Sequence, residues 1–474
     1  MGDRRPKRST RSLAAVVLAA GKGERLKSRT PKVLHPVCGR PLLWHTLQVV
    51  CAARPAKIVV VVGHGADDVR EEVASWGISP TPAFVEQAEQ LGTGDAVRRA
   101  EEAVGRADDV LVANGDFDPI TPADLRKILA SHRRTGAAVT LGSTVLDRPG
   151  AYGRVVRDGP RVTDVIEGRD APTAVRRIHE VATNWIAFRR DLLFATLPLL
   201  DRDNRQREYY LNRAISILLE KGERVDGVVC DTGGILGANT RAGLAWLEAL
   251  LRRRVNEGHM HAGVRIADPD ATYIDVEVTI GRDSVIAPNT FLEAGTRIGR
   301  GCTIGPSTRI DGSRIGDRSV VSFSVLEGAR VGRDCEVGPF ARLRPGAILE
   351  DGAQVGNYVE VKASRIGRGS KAKHLAYVGD AELGAGVNIG AGTVFVNYDG
   401  YDKHRTIVGD GARIGSDTML VAPLTVGKGG VTGAGSVITK DVPAGALAVE
   451  RSEQKNVKGY RKRADAKRRA RGKR

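Results

Sequence analysis

The stretch AAGKGERLKSRTPK places Gly21 and Gly23 two residues apart and follows them with Arg25 and Lys32. Glycines in a turn between a strand and a helix let backbone N–H groups approach phosphates, and a helix N-terminus there adds positive potential. Two fixed cations beside such a turn suit phosphoryl or nucleotidyl transfer, in which negative charge develops. The loop is not of the Walker A type, because no GKS or GKT follows four spacer residues. Asp116 ends the run DDVLVANGD, and Asn239 lies in GANT. A carboxylate and an amide oxygen together suit Mg²⁺, a hard cation that also keeps phosphate oxygens and waters. Far along the chain, His374 in KAKHLAY is a candidate general base, since imidazole titrates near neutral pH.

Two kinds of element must position these residues. SLAAVVLAAG, KIVVVVGHG and DDVLVANGD read as buried strands, the first two ending in glycine, and GRPLLWHTLQVVCAA has helical spacing. Strands alternating with helices predict an α/β domain over residues 13–240, with a doubly wound parallel sheet and ligands at the C-terminal strand ends. Residues 241–262 place Leu244, Leu247 and Leu251 on one helical face, with Leu250 beside it. That segment is a helical linker arm, and equally the last helix of the first domain. From about residue 268 the period becomes six. Ile280, Ile286, Leu292, Ile298, Ile304 and Ile310 stand at unbroken six-residue steps, and Gly follows the aliphatic residue in TIG and RIG. Ile315, Val321, Val331, Val337, Val355, Val361, Ile389, Ile414, Leu420 and Val426 continue the pattern with slips. Such hexapeptide repeats predict a parallel β-helix over residues 263–457, three flat faces to a coil and about twenty-five faces in all.

The 474 residues exceed what one core usually holds, which agrees with two domains. Aromatics are 4% and glycines number 57, which disfavours an aromatic-rich sandwich and suggests tight, repeated turns. Of the net charge of +17, residues 1–12 carry +4 and residues 458–474 carry +9, which leaves +4 for everything between. The basicity therefore belongs to two tails, read as solvated, with attraction to nucleic acid as the second reading. No apolar run reaches the length of a membrane span, and LAAVVLAA reads as a buried strand rather than a signal peptide. The five cysteines have no CxxC spacing, which argues against a zinc site or a disulfide framework and fits a reducing cytoplasm.

With these motifs in view, VVLAAGKGERLKSRTPKVLHPVCGRPLL resembles the signature of sugar-nucleotide pyrophosphorylases. Their succession, ending in RLRPG, HLAYVGD, NIGAGT and NYDG, resembles the bifunctional N-acetylglucosamine-1-phosphate uridyltransferase and glucosamine-1-phosphate acetyltransferase family over nearly the whole chain. The resemblance implies a Rossmann-like nucleotidyltransferase domain, a helical arm and a left-handed parallel β-helix. It implies acetyl transfer from acetyl-CoA to glucosamine 1-phosphate. Uridylyl transfer from UTP to N-acetylglucosamine 1-phosphate then releases pyrophosphate. The product would serve as a precursor of peptidoglycan and lipopolysaccharide. By resemblance, Gly21, Arg25, Lys32, Gln87, Gly92 and Thr93 bind UTP, with Gln87 presenting a donor and an acceptor to the uracil edge. Asp116 and Asn239 match the Mg²⁺ ligands. Gly153, Glu167, Asn184 and Asn239 match the sugar-phosphate site of that half. In the acetyltransferase half, His374 is implied as base and Glu360 as the group that orients it or balances its charge. Arg344, Lys362, Tyr377, Asn388 and Lys403 are implied at the amino-sugar phosphate. The Ala391 N–H is implied as oxyanion donor, and Asn397, Tyr398, Ser416, Ala434 and Arg451 at acetyl-CoA. Members close that site between the subunits of a homotrimer.

The chain departs from the family pattern at three places. Phe117, Asp118 and Pro119 follow the metal aspartate, where a short apolar residue, Pro and Leu are usual. Thr183-Asn184-Trp185 replaces Asn-Thr-Gly, and Asn212 and Arg213 stand where Thr and Asp are usual after EYYL. Trp185 either packs in the core or reshapes the sugar pocket. In the second case this half uses another sugar phosphate or is inactive. A third reading, a non-enzymatic scaffold with basic tails, is opposed by His374, Lys403 and Arg451.

Overall fold

A computed structural model of the chain describes residues 11–159, 161–234 and 237–471. Most of the N-terminal basic tail, and the last three residues of the C-terminal one, lie outside the described residues. The chain divides into two compact units, residues 1–255 and 256–474.

The first unit is built on one mixed sheet. Its strands are β1 (Leu13–Ala19), β2 (Lys57–Val62), β3 (Ala83–Glu86), β4 (Asp109–Asn114), β5 (Val139–Val145), β6 (Arg154–Asp158), β7 (Arg161–Ile166), β8 (Glu180–Arg189) and β9 (Val225–Val229). The order is β9-β5-β8-β4-β1-β2-β3, with β6 pairing β8 and β7. Strands β4, β1, β2 and β3 run parallel, in register from Leu18 to Asn114, Ala19 to Val62 and Val62 to Glu86. Their C-terminal ends therefore share one edge, where Gly21, Gln87 and Asp116 follow directly.

Two expectations are corrected. The sheet is not wholly parallel, since β8 runs antiparallel to both β4 and β5. The chain reaches β8 through the β6–β7 hairpin and a four-residue helix, not through a long helical crossover, and so returns in the opposite direction. Nor does an α-helix follow the glycine turn. Two single-turn 3₁₀ segments, Glu24–Leu26 and Lys32–Leu34, come first, and the helix expected from GRPLLWHTLQVVCAA begins at Leu42. Gly23 is required in that turn, because its φ is +65° and a Cβ would lie 2.6 Å from the Cβ of Lys32.

The helix Arg241–His261 carries the division between the units. On its first part, Glu248 accepts from the Cys38 backbone N–H at 2.9 Å. Arg254 donates to the carbonyls of Pro119 and Asp231 at 2.6 and 3.1 Å. Asn256, fully buried, donates to the carbonyls of Pro269 and Thr272 in the second unit.

The second unit is a three-sided β-helix of eleven, ten and nine parallel strands. Each strand pairs with the third one along, so that Ile286 meets Ile304 and Leu292 meets Ile310, a coil of eighteen residues. The aliphatic residues of the hexads are buried, except Ile280 at the first coils, which is half-buried. Where a glycine follows the aliphatic residue, it has a packing cause. A Cβ at Gly299 would lie 2.7 Å from the backbone of Asp317, and one at Gly316 would lie 2.6 Å from that of Gly332. The coil above leaves no room for a side chain there. Cys302 and Cys335 belong to a buried corner column with Ser284, Ser319, Ala353 and Ser370, and accept the role of small residues. At one place the step lengthens: Ile389 pairs with Ile414, twenty-five residues on, because the loop around Tyr398–Lys403 leaves the coil and returns. Within the C-terminal basic run, Tyr460–Arg471 is an exposed helix.

Candidate functional sites

In the first unit, one cleft is lined by Gly21, Lys32, Gln87, Gly92, Thr93 and Asp116. A second, sharing Gly21 and Lys32, adds Arg25 and Asn239. The ammonium of Lys32 bonds to Asp116 and lies 2.7 Å from Asn239 Oδ1, which also accepts from Arg25 at 2.8 Å. The two cations and the two candidate metal ligands thus form one group. Gly92, at φ +109°, could not carry a Cβ, which would stand 2.7 Å from the Tyr209 backbone. The Thr93 hydroxyl accepts from the Leu211 N–H at 3.1 Å.

Gln87 corrects its expectation. It is buried, and its amide NH₂ is committed to the Gly92 carbonyl and to Asp95 Oδ2, each at 3.0 Å. A ligand can therefore use its side-chain carbonyl but not a donor-and-acceptor pair. Asp95 was not legible as part of the site. Its carboxylate takes Gln87, Arg98 and Arg99 together.

The sugar-side residues are held by the very positions that depart from the family pattern. Asp118 Oδ2 accepts from the Asn184 backbone N–H at 2.8 Å and from its Nδ2 at 2.9 Å. Asn212 Nδ2 donates to Glu167 Oε1 at 2.7 Å, and lies 3.1 Å from where a Cβ on Gly153 would stand. Burial raises the Glu167 carboxyl above the usual range. The Asp118 carboxyl is raised first by burial and then by the neighbouring Asp116 charge. Burial, followed by these two carboxylates, pushes Tyr152 up to about 12. Arg213 instead pairs with Glu220 at 2.6 Å.

Trp185 packs in the core. It is fully buried, and its indole N–H donates to the Asp118 carbonyl at 3.1 Å. It sits where the β8–β5 register shifts between Ala182 and Ile186, an irregularity that re-aims side chains. The pocket-reshaping alternative loses its main support.

On the β-helix, successive coils stack four candidate residues at one corner. Asn357 is the register partner of His374. The next residue, Leu375, donates its N–H to the Asn357 carbonyl, and Gly392 donates to the Leu375 carbonyl. Asp417 donates to the Ala391 carbonyl and Gly435 to that of Ser416. His374, Ala391, Ser416 and Ala434 therefore form a column, one to a coil. Arg451 joins it at the end by donating to the Ala434 carbonyl at 2.8 Å.

Beside it lies a polar group. Lys362 Nζ is 3.7 Å from Asp380 Oδ2, which also accepts from Asn397, and Asn397 reaches the Tyr377 hydroxyl at 3.5 Å. Asp380, the last residue of HLAYVGD, was missed by sequence reasoning although its motif was in view. Tyr398 and Lys403 bridge the base of the excursion loop. Asn388 is exposed on the adjoining strand. No hydrogen bond joins the side chains of Glu360 and His374 among the described residues. Arg344 takes the Glu360 carboxylate at 2.8 Å, and the His374 side chain makes no hydrogen bond among the described residues.

Residues 15–213 match the family described as a MobA-like NTP transferase domain, and residues 269–356 match the GMPPB C-terminal domain. The bifunctional protein GlmU of Streptomyces avermitilis is 46% identical over 455 residues, 95% of this chain and 94% of that protein. The bifunctional protein GlmU of Syntrophotalea carbinolica is 45% identical over 458 residues, 96% of this chain and 98% of that protein. The chain belongs to the GlmU family. Membership gives the three-sided coil of the second unit its left hand, which the strand order alone does not fix. It also makes Asp118, Trp185 and Asn212 departures within a GlmU-family frame, not signs of another one.

Proposed function

We infer that this GlmU-family chain makes UDP-N-acetylglucosamine in two steps. Acetyl transfer from acetyl-CoA to glucosamine 1-phosphate is followed by uridylyl transfer from UTP, with release of pyrophosphate. What carries the reading is that a Lys32–Asp116–Asn239 group and a His374–Ala391–Ser416–Ala434 column occur in one chain that aligns with bifunctional relatives over 95% of its length.

In the acetyl step, His374 accepts the proton of the sugar ammonium, and the amine nitrogen bonds to the thioester carbon as the carbon–sulfur bond breaks. The Ala391 N–H donates to the oxyanion at the moment charge develops there. Arg344 and Lys362 hold the sugar phosphate, with Tyr377, Asn388 and Lys403 around the amino sugar. Asn397, Tyr398, Ser416, Ala434 and Arg451 hold acetyl-CoA. The corner beside His374 exposes Phe340, Tyr358 and Leu375, at 50, 62 and 61%. A homotrimer in which a neighbouring copy covers this corner fits that exposure.

In the uridylyl step, an oxygen of the sugar phosphate attacks the α-phosphorus of UTP, and the bond to pyrophosphate breaks. Arg25 and Lys32 offset the charge of the phosphates. Asp116 and Asn239 are the residues that would hold Mg²⁺, and the buried Asp116 Oδ1, which has no hydrogen-bond partner among the described residues, fits a hard cation. Mg²⁺, when bound, neutralises phosphate charge that would otherwise repel the nucleophile. Glu167 and Asn184 position the sugar. The cytoplasm is the compartment that suits these substrates, and no helix among the described residues is long and apolar enough to cross a membrane.

The test runs the two half-reactions separately. His374→Ala should lower acetyl transfer by about 10²–10⁴-fold while UTP-dependent pyrophosphate release stays intact. Asp116→Ala should abolish Mg²⁺-dependent pyrophosphate release, with the melting profile and acetyl transfer preserved. Near-normal acetyl transfer by the first variant, or uridylyl transfer by the second, would sink the corresponding assignment.

A further inference from the structure

Asp118 is 1% exposed, and its two oxygens differ. Oδ2 has the two donors of Asn184, whereas Oδ1 is buried without a hydrogen-bond partner among the described residues. Asp116 Oδ1 is in the same condition. A buried carboxylate oxygen without a donor is costly, and two in neighbouring side chains call for positive charge from a ligand. Gly237 lies beside both carboxylates and Asn239, next to the unpartnered oxygen of Asp118 and the Lys32-bound oxygen of Asp116. A Cβ there, at φ +53°, would lie 3.4 Å from Asp118 Oδ1, 3.5 Å from Asp116 Oδ2 and 3.8 Å from Asn239 Nδ2. The chain leaves this cradle unfilled by a side chain.

The backbone around Asp118 is fixed by the other departures. The Trp185 indole N–H holds its carbonyl, and the preceding Phe117, at φ +54°, sets its ring 5.3 Å from that of His45. Phe117, Asp118 and Trp185 thus form one unit, and what that unit presents to the site is a carboxylate.

We propose that Asp118 is a second carboxylate ligand of the divalent cation held by Asp116 and Asn239, and that this site takes up the cation before the nucleotide. The proposal rests on the uridyltransferase reading above. One carboxylate and one amide hold Mg²⁺ chiefly together with substrate phosphates, whereas a second full negative charge raises the affinity of the protein's own share of the shell. Lys32, which neutralises Asp116 in the absence of a cation, is then released to phosphate oxygens.

Mn²⁺ binding to the full chain without nucleotide, followed by the loss of the free-ion electron paramagnetic resonance signal, tests this. Wild-type protein should bind Mn²⁺ without UTP. Asp118→Asn should weaken binding by about tenfold or more, and Asp116→Asn should remove it. Wild-type binding by Asp118→Asn alongside loss in Asp116→Asn would overturn the proposal alone. Wild-type binding by Asp116→Asn, with and without UTP, would overturn the cation site itself. Absence of wild-type binding until UTP is added would also refute the proposal. If Asp118→Asn does not fold, Asp118→Glu should bind Mn²⁺. In that case the wild-type melting temperature should also rise with Mn²⁺ alone, and no rise would overturn the proposal.

Discussion

Asp95 shows how a residue outside the reacting atoms governs one inside the cleft. Burial alone would raise its carboxyl, but Arg99, Gln87 and Arg98 outweigh burial and hold it below its ordinary value of 3.8. Because the folded-state pKa is the lower one, the stability it contributes is fully present above 3.8 and is lost as pH falls below it. Asp95→Asn should therefore melt below wild type at pH 7, with the gap closing as pH falls below 3.8, by thermal unfolding of the first unit. A gap that stays constant with pH would remove the charge argument. The same variant should raise KM for UTP, because Gln87 loses an acceptor that fixes its amide. Gln87 itself was legible as a type of side chain near a strand end. What occupies its amide was not, since Asp95 binds it from a helix whose packing depends on the whole sheet.

At the scale of elements, Trp185 decides what a reversion would do. A family-like glycine at this position does not open a pocket, because the ring is fully buried in β8 and its N–H is satisfied by Asp118. Trp185→Gly should destabilise the first unit by about 3–5 kcal/mol through the cavity, and lower uridylyl transfer by releasing Asp118. A wild-type melting profile with changed sugar preference would restore the pocket reading. Period and burial made β1, β2, β4, the helix from Leu42 and the hexapeptide coils legible. The direction of β8 was not, since an antiparallel insertion depends on its two partners, β4 and β5, which lie far away in sequence. The 3₁₀ turns after Gly23 were equally hidden, because glycine, Ser28 and Pro31 signal a turn without saying how long it lasts.

At the scale of the whole molecule, two units with separate cores should fail separately. Gly316 shows how to load one of them. Its added Cβ would lie 2.6 Å from the Gly332 backbone, and the coils on either side cannot part without breaking their ladder bonds. Gly316→Ala should destabilise the second unit by about 1–3 kcal/mol. Calorimetry should show one transition moving down while the other stays. Acetyl transfer should be lost at a lower temperature, with pyrophosphate release unaffected. A shift of both transitions together would mean that the units unfold as one. Both functional regions were legible as motifs, but their alignment was not. The column needs coil steps of seventeen, then twenty-five, then eighteen residues, and the long step is set by a loop whose length the hexads do not reveal.

The corner column has a consequence for how this chemistry can change over time. His374, Ala391, Ser416 and Ala434 sit on successive rungs, and rungs of a β-sheet are about 4.8 Å apart. The distance from the base to the far end of the column is therefore a whole number of rungs, like notches on a ruler. Point substitutions can alter what each notch presents, but not its spacing. A donor with a longer or shorter arm would be matched by gaining or losing an entire coil, about seventeen residues at once. Loop insertions such as the one at Tyr398–Lys403 can reshape the mouth freely, because they leave the count of rungs untouched. Divergence at this site should accordingly be stepwise in length and continuous in everything else.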